Sequence, residues 1–488
     1  MSTVTFSVGA GARFGPRTGS VTLQRHASPT TLTIPTPGLM VATSRGVVPH
    51  LSRDQHKRTH PLRWVHVPFE TFLENSPPTP TLQPGALPLH TFLGFSPDSH
   101  LVSLTLRDPA DPRDVPANGN AYVTAMTARG VKKVTPDQWR TYVRACAPDV
   151  VVALPDVPYT PPPFSQKRTT KSIDRTAAWL ANLLAPASEP LSILVHMAGG
   201  ISVAARRAFA ESLTETLHGK EADAVRPHTC LDHGVAGYIF DLVPLRRAMD
   251  ASPDAVHAPA ARADETAELF KASLTPVAPA KLRVVNSAAS PHEILRLVRT
   301  VGVDVFDAKW AQDAAHVGVA LDFVFPIQNS RTAGKQRDLG HNLYRAQYAH
   351  DLSRFADSNP GCPCGACAPV APAAAISHSV LDAYAPPAAA LLPPYTRAYL
   401  HHLLHTHEMT AHALLVMHNL AVVDAFFAGV RGVLHRGEDF GAEVDRFVGE
   451  YDEALAVVDE ARAMWKDVDV ARGKGRMARE RIEADAPE

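Results

Sequence analysis

Three cysteines within six residues give the clearest chemical signal in this chain. They are Cys362, Cys364 and Cys367, in the run Cys-Pro-Cys-Gly-Ala-Cys. Three thiolates on one tight turn suit a tetrahedral ion that prefers soft ligands. An iron–sulfur cluster would need a fourth cysteine, and only the distant Cys146 and Cys230 remain. A histidine is therefore favoured as the fourth ligand, and with it one zinc ion (Zn2+) per chain.

The residues alone leave the choice of that histidine open. Seven of the histidines that follow the cysteines are candidates for the position: His378, His401, His402, His405, His407, His412 and His418. Most of them are expected to decorate helices without binding anything. Five cysteines in 488 residues do not make a disulfide framework, so the clustered three indicate metal binding in a reducing compartment.

Two aspartates stand where buried strands are predicted to end. Asp156 follows the apolar run 149–154, and Asp307 follows the run 303–306. In (β/α)₈ barrels the reacting side chains lie at the carboxyl ends of the strands. Both carboxylates are therefore candidates for chemistry, although an aspartate at a strand end can also cap a helix or pair with an arginine.

A regular alternation of strand and helix patterns begins at about residue 148. Short apolar runs predict strands at 149–154, 191–197, 235–242, 281–286 and 303–306. Helices are predicted at 171–184 and after Ser290, where Ser290 and Glu293 form a capping box with Pro291 at the first helical position. Such repeats predict a parallel sheet covered by helices. Without a glycine-rich phosphate loop after these strands, a (β/α)₈ TIM-type barrel of the α/β class is favoured over an open sheet.

Composition sets further bounds. The chain is 45% hydrophobic and 20% charged, and its 48 basic against 49 acidic residues leave a formal charge of −1. A nucleic-acid binder with this balance must concentrate its positive charge locally or rely on a partner. No run approaches the 18 or so apolar residues of a membrane span. The first acidic residue is Asp54, which would fit a transit peptide, but the alternation in 20–23 and 31–34 favours N-terminal β-structure.

A family resemblance comes from two stretches downstream of the cysteines. With the cysteine cluster, residues 395–403 and 417–420 resemble the zinc module of the tRNA-guanine transglycosylases, which exchange a guanine of the tRNA anticodon for queuine or its precursor. The stretches 12–15, 36–38, 46–51, 171–176 and 287–306 extend the resemblance over most of the chain. It implies a (β/α)₈ barrel with a C-terminal zinc-binding helical module, and His418 as the fourth ligand.

The same resemblance suggests a division of the chain. Residues 1–350 would form the barrel with N-terminal β-structure, and 351–435 a zinc-binding and dimerisation module. An Ala/Pro insertion at 368–394 departs from the family pattern, but the cost of closing a loop grows only with the logarithm of its length. Residues 436–488 would form a charged C-terminal helix and tail.

Several departures from the family's catalytic pattern point to a non-catalytic member. Asp307 falls at the nucleophile position and Asp156 at the base-recognising position. However, the Pro-Thr-Arg stretch of catalytic members is replaced at 308–312, and their Gly-Gly-Leu strand at 237–242. Their Asp-Ser-Gly-Gly-Phe-Gln motif, source of a second acid/base group, has no counterpart near 85–130. Both aspartates are therefore expected to be vestigial, and the chain to be inactive without a catalytic subunit as heterodimer partner.

Two alternatives stay open: a divergent active transglycosylase that uses Asp307, and a zinc-stabilised barrel that only binds RNA or protein. The basic runs 167–171 and 331–337 could contact tRNA phosphates or could be solvated loops. The resemblance implies contact with tRNA through the complex and homodimers when the chain is alone. It also implies a cytoplasmic location, with peripheral association with the mitochondrial outer membrane.

Overall fold

The computed structural model describes residues 2–473 except 10, 26–29, 159–161, 188–189, 254, 256, 328–335, 369–375, 378–382 and 385–393. The chain forms two compact units. One consists of residues 1–49, 62–310 and 427–444, and the other of 50–61, 311–426 and 445–488. The domain boundaries at 350 and 435 stay a prediction.

The first unit is built on a closed parallel barrel of eight strands, each hydrogen-bonded to the next along the chain. The strands are β4 (Gly38–Ala42), β5 (Trp64–Pro68), β6 (Leu101–Thr105), β9 (Val150–Val152), β10 (Ile193–His196), β11 (Gly237–Asp241), β12 (Leu282–Asn286) and β13 (Val305–Asp307). Val305 of the last strand pairs with Gly38 of the first and closes the cylinder. The predicted TIM-type barrel is confirmed.

Helices connect the barrel strands, and local sequence fixes several of their starts. They are α1 (Arg53–Arg58), α2 (Pro88–Leu93), α3 (Pro136–Cys146), α4 (Gln166–Leu183), α5 (Val203–Thr214), α6 (Gly219–Ala224), α7 (Leu242–Asp250), α8 (Pro259–Leu274), α9 (Pro291–Thr300) and α10 (Lys309–His316). At α3, Thr135 and Gln138 form a capping box ahead of Pro136. At α9, the Ser290 hydroxyl accepts the Glu293 N–H as predicted, whereas the Glu293 carboxylate accepts the N–H of Ala289.

An antiparallel sheet at the N-terminus packs on the barrel. Its strands are β1 (Ser2–Val8), β2 (Gly19–Arg25) and β3 (Thr31–Thr36), which confirms the prediction of β-structure here. Val21, Leu23 and Ile34 join the barrel's buried apolar cluster. Two buried aspartates that immediately precede barrel strands bind arginines of this region. Arg25 bonds to Asp149, before β9, and Arg17 bonds to Asp304, before β13.

The remaining strands and α-helices are a short hairpin, two further antiparallel strand pairs and four C-terminal helices. They are β7 (Val123–Thr127), β8 (Gly130–Val134), β14 (Val319–Leu321), β15 (Gly340–Asn342), β16 (Ile376–Ser377), β17 (Ala383–Tyr384), α11 (Arg397–His405), α12 (Met409–Arg436), α13 (Phe440–Glu450) and α14 (Ala456–Gly473). Helix α12 is long and apolar enough to cross a membrane by length and composition, but 78% of its most apolar window is buried inside the protein. That burial is typical of a core helix.

The structure differs from the sequence prediction in four respects. Three barrel strands, β4 to β6, precede residue 148, where the alternation was first recognised. Helix α4 begins at Gln166 and not at residue 171, because the Ser165 hydroxyl caps it by accepting the Arg168 N–H. The segment predicted as one C-terminal helix contains two, α13 and α14. Glu293 binds Ala289, as described above. Residues 474–488 and most of the insertion 368–394 lie outside the described residues.

Candidate metal centre and strand-end aspartates

The three cysteines lie on a tight turn whose backbone is hydrogen-bonded to itself. The Cys362 N–H donates to the carbonyl of Asn359, and the N–H groups of Cys367 and Ala368 both donate to the carbonyl of Cys364. The Cys367 N–H also lies 3.3 Å from Cys364 Sγ, which is a favourable contact for a thiolate. The turn therefore holds the three sulfur atoms on one side of the backbone.

His418 of α12 completes a buried group of four potential ligands. Its Nδ1 lies 3.8, 3.6 and 3.3 Å from the Sγ atoms of Cys362, Cys364 and Cys367. All four donor atoms lie within 4.8 Å of one another and all four residues are buried. Zinc–sulfur bonds of about 2.3 Å in a tetrahedron place the donors about 3.8 Å apart. The arrangement therefore fits one tetrahedral metal ion, and the structure brings together the four residues that the sequence and the resemblance had indicated.

The second ring nitrogen of His418 fixes which nitrogen faces the sulfur atoms. His418 Nε2 lies 2.9 Å from the carbonyl oxygen of Leu321 in β14, so the Nε2–H donates there and the Nδ1 lone pair is left for an ion. The adjacent Asn419 accepts the Leu321 N–H through Oδ1 and donates to the carbonyls of Ala311 and Val319. Neighbouring residues of α12 thus bind both backbone groups of Leu321.

The close approach of the sulfur atoms shifts the pKa of two of the thiols. Contacts with Cys364 and Cys367 lower the pKa of Cys362, whereas contacts with Cys362 and Cys364 raise the pKa of Cys367. Three thiolates in so small a buried volume repel one another unless a cation compensates them. A divalent ion would supply that compensation.

Three of the competing histidines have backbone partners. His401 Nδ1, His405 Nε2 and His412 Nδ1 lie within 3.3 Å of the backbone carbonyls of Leu343, Tyr344 and Ala315. His378 lies outside the described residues. Sequence alone could not assign these backbone partners.

A second group of potential ligands, Asp322, His341 and Asp357, is an ion-pair network. Arg397 Nη2 lies 2.8 Å from Asp357 Oδ2 and 3.0 Å from His341 Nε2. His341 Nε2 also lies 2.9 Å from Asp322 Oδ2. Burial opposes ionisation of Asp322, but hydrogen bonds from His341 and from the backbone of Asp357 and Ser358 outweigh it and lower its pKa. A guanidinium already supplies the positive charge that a metal ion would bring.

Asp156 lies just beyond β9, fully buried, and its carboxylate is saturated with hydrogen bonds. Arg168 donates to both oxygens at 2.9 Å, in the bidentate fork geometry. Arg175 donates to Oδ2 at 3.0 Å, and Asn118 donates to Oδ1 at 2.8 Å. A carboxylate has about four acceptor sites, and here all four are used. Asp156 therefore serves as the centre of a structural ion pair.

Asp307 is the last residue of β13, as predicted for a strand-end aspartate. Its Oδ2 accepts the Ser287 N–H at 2.7 Å, and Ser287 adopts a left-handed φ of 64° directly after β12. Burial raises the pKa of Asp307 to about 7, although the backbone N–H groups of Ser287 and Lys309 act in the opposite direction. Trp310, three residues on, is buried at the start of α10. The carboxyl group is buried and only partly ionised at neutral pH.

One further carboxylate near Asp307 was missed from the sequence. Asp108 follows β6, its N–H donates to Glu70 Oε1 at 2.9 Å, and its Oδ1 accepts the Ala110 N–H. The negative charge of Asp108 contributes to the raised pKa of Asp307. Recognising β6 as a barrel strand would have singled out Asp108 as the first carboxylate after it. The family's sequence motif is absent, yet a carboxylate is present at this strand end.

A closed eight-stranded parallel barrel and a buried Cys₃His group in one chain define a (β/α)₈ protein with a candidate metal site. The family model for queuine tRNA-ribosyltransferase matches residues 13–226 and 254–453. The chain belongs to this family, as the resemblance had implied.

Curated relatives in several eukaryotes are similar over most of their length. The Schizosaccharomyces pombe protein is 25% identical over 441 residues, covering 89% of this chain and 81% of its own. The Xenopus tropicalis protein is 26% identical, with coverages of 83% and 91%, and the Caenorhabditis elegans protein 25%, with 83% and 92%. Each of these three relatives is named queuine tRNA-ribosyltransferase accessory subunit 2.

Proposed function

We propose that this chain is the non-catalytic subunit of a queuine tRNA-ribosyltransferase. It would support the exchange of guanine 34 for queuine in the tRNA anticodon by forming a heterodimer with a catalytic subunit. The names of the relatives support this reading, since an accessory subunit implies a partner that carries the reaction.

The observation that carries the proposal is the saturated carboxylate of Asp156. A base-recognising aspartate must offer acceptor sites to the base, but Arg168, Arg175 and Asn118 occupy all of them here. Binding a base there would require breaking a bidentate ion pair whose carboxylate is fully buried, which is unfavourable. Asp307 would then be a relic of the nucleophile.

An exposed aromatic patch supports the proposed subunit interface. Tyr395 and Tyr399 stack with ring centroids 5.5 Å apart, and both side chains are about two-fifths exposed. Leu352 is 77% exposed, and the residues on either side of it, Asp351 and Ser353, accept backbone N–H groups from the start of α11. Exposed aromatic and aliphatic side chains grouped in this way are typical of protein interfaces.

Zinc is the ion that we propose for the Cys₃His group. Three thiolates and one imidazole in a closed, buried tetrahedron match structural zinc sites. The ion would hold the cysteine turn against α12, and its role would be in folding and not in the reaction.

Contact with tRNA and location in the cell are further parts of the proposal. Basic side chains near the start of α4 could contact tRNA phosphates within the heterodimer, and Lys167 is exposed there. A cytoplasmic location with peripheral attachment to the mitochondrial outer membrane stays a prediction. Fractionation of cells with salt and carbonate washes would test it, because a peripheral protein is released by both.

The test of the proposed function is base exchange by reconstituted subunits. Labelled guanine in tRNA should be displaced by queuine only when this chain and a catalytic subunit are mixed. Replacing the catalytic subunit's nucleophile should abolish the exchange, even though Asp307 of this chain is intact. Exchange by this chain alone, at a rate comparable to that of the mixture, would contradict the proposal.

The second candidate is a divergent active transglycosylase. It is supported by the survival of Asp307 at the end of β13 with Asp108 close enough to influence its pKa. Two carboxylates, one attacking the ribose C1′ and one transferring protons, are what such an exchange requires. Trapping a covalent tRNA adduct on this chain in denaturing gels, lost on Asp307→Asn, would establish that candidate.

A further inference from the structure

Strand β1 lies at the edge of the N-terminal sheet and pairs with β2 on one side. The N–H of Gly9 donates to the carbonyl of Thr18, and the register of the two strands continues this bonding at every second residue of β1. The alternate residues, Val4, Phe6 and Val8, therefore direct their N–H and carbonyl groups away from β2. Among the residues that the structure describes, none forms a hydrogen bond with these outward groups.

The outer edge of β1 lacks the features that protect other strand edges of this chain. Proline and charged residues on an edge strand normally prevent another strand from adding to it. At the opposite edge of the same sheet, β3 contains Pro35, and strand β8 of the β7–β8 hairpin contains Lys132 and Lys133. Strand β1 reads Ser-Thr-Val-Thr-Phe-Ser-Val, without proline or charge. An exposed edge of this kind is where strand addition occurs.

The two faces of β1 also suit a further strand. Thr3, Thr5 and Ser7 are exposed on one face. Val4 and Phe6, on the other face, are half-buried and pack against the apolar cluster of the barrel. Neighbouring strands carry their side chains on the same two faces, so an added strand would cover more of this apolar row.

We propose that β1 pairs antiparallel with β1 of a second copy of this chain, about a twofold axis at Thr5. In this register Thr5 lies opposite its own counterpart and Thr3 lies opposite Ser7, so hydroxyl side chains meet on the exposed face. Val4 lies opposite Phe6, so apolar side chains meet on the other face and the outward backbone groups bond each other. A twofold axis makes such an interface self-complementary, and β1 carries no charge that would oppose it.

The proposed pairing ends at a dimer. It joins the two three-stranded sheets into one, in which β3 forms both outer edges. Because β3 contains Pro35, these edges are protected against further addition. The proposal goes beyond the accessory function, uses a surface other than the aromatic patch, and does not require that function to be correct.

The test measures self-association of the full-length chain with its metal. Tyr399→Glu is the background for all samples, so that the aromatic patch does not contribute. One strand pair buries less than the roughly 1,200 Å² of a stable interface, so dimers should appear in sedimentation only between about 1 and 100 µM. Over the same range, hydrogen exchange should slow at the N–H groups of Val4 and Phe6. The N–H of Thr5, which bonds β2, should not change.

Charge substitutions at Thr5 make the outcome decisive. Thr5→Lys places two lysines opposite each other at the axis and should weaken dimerisation about 3- to 10-fold. Mixing Thr5→Lys with Thr5→Glu copies should restore dimerisation, because opposite charges then meet. Thr33→Lys is the matched control, since Thr33 is exposed on the same face of β3, opposite Thr22, which lies opposite Thr5. This control should change the dissociation constant less than about twofold.

Three results would overturn the proposal. The first is a monomer throughout this range without slower exchange at Val4 and Phe6, which would leave the edge to a different protein. The second is equal weakening by Thr5→Lys and Thr33→Lys. The third is a mixture of Thr5→Lys and Thr5→Glu copies that associates no better than either variant alone. Hydrogen exchange of the unsubstituted strand decides the matter even if Thr5→Lys does not fold.

Discussion

Arg168 binds Asp156 through two parallel hydrogen bonds of 2.9 Å, one to each carboxylate oxygen. The arginine comes from the first turn of α4 and the aspartate from the loop after β9. A side chain of the protein itself therefore occupies the carboxylate that the resemblance assigns to the base-recognising position.

Removing Arg168 should destabilise the protein without creating activity. Arg168→Ala leaves Asp156 with only Arg175 and Asn118, and we expect a loss of about 1–3 kcal/mol in the free energy of unfolding. Denaturant unfolding measures this loss, and Lys167→Ala, at the exposed neighbouring position, serves as the control with a change below about 0.5 kcal/mol. Base exchange by the isolated Arg168→Ala chain would contradict this expectation. It would show that Arg168 blocks a site that is otherwise able to carry out the reaction.

The metal centre should make folding depend on the ion. Purified protein is expected to hold about one zinc per chain, without iron–sulfur absorbance in the visible range. His418→Ala or Cys364→Ser should release the ion and expose the cysteine turn to proteolysis, because binding and folding are coupled in closed sites. Zinc content by elemental analysis measures the first effect. His402→Ala, at a partly exposed position, is the control and should keep its zinc. Full zinc retention in His418→Ala would mean that another histidine is the ligand.

Asp307 gives a pH-dependent prediction. Its pKa is raised in the folded protein to about 7 from an ordinary value of 3.8, so the folded state holds a proton that the unfolded state releases. The stability contribution of this group is therefore fully present below about pH 4 and is lost as the pH rises towards 7. Asp307→Asn, which cannot ionise, should match the wild type near pH 4 and exceed it at pH 8, by at most about 4 kcal/mol.

The same Asp307→Asn variant separates the two functional readings. In a heterodimer with the catalytic subunit it should support near-normal exchange, because the reaction would occur in the partner. A loss of 100-fold or more in the exchange rate, with the heterodimer still formed, would assign the chemistry to this chain.

The N-terminal sheet should depend on its buried ion pair. Arg25→Ala would leave Asp149 buried without its guanidinium partner, and we expect a loss of about 3–5 kcal/mol in the free energy of unfolding. Arg140→Ala removes the exposed pair with Asp137 and should cost less than about 1 kcal/mol. Comparable losses for the two variants would mean that the buried pair contributes no more to the free energy of unfolding than the exposed pair does.

The aromatic patch should control assembly. Tyr399→Glu places a charge in the proposed interface, and we expect the heterodimer to dissociate at concentrations where the wild type stays assembled, by sedimentation. Leu82→Glu, at another exposed apolar position, should leave assembly unchanged. Unaltered sedimentation of the Tyr399→Glu mixture would place the interface elsewhere.

How much of the structure could be predicted from the sequence depended on the kind of signal. Continuous apolar runs revealed β9 to β13, because strands buried on both faces carry no competing pattern. Strands β4 to β6 were not recognised because Pro-rich and polar loops interrupt the repeat between them. Because β6 was not recognised, Asp108 was not identified as a candidate residue either. The cysteine turn was visible from local spacing. The partners of Asp156 were not, because Asn118 comes from a distant part of the chain and only the folded barrel brings it to the carboxylate.

The order of the barrel strands bears on how the protein is made. Each strand pairs with the next along the chain, but β4 receives its second neighbour only from β13, through the pairing of Gly38 with Val305. During synthesis on the ribosome, one edge of β4 therefore stays unpaired until almost the whole barrel sequence has emerged. Arg17 likewise has no ion-pair partner until late in synthesis, because Asp304 directly precedes β13. A chain that stops before β13 would keep two open strand edges, the feature that makes incomplete products stick to one another. Premature termination in this region should therefore yield aggregates and not a smaller folded domain.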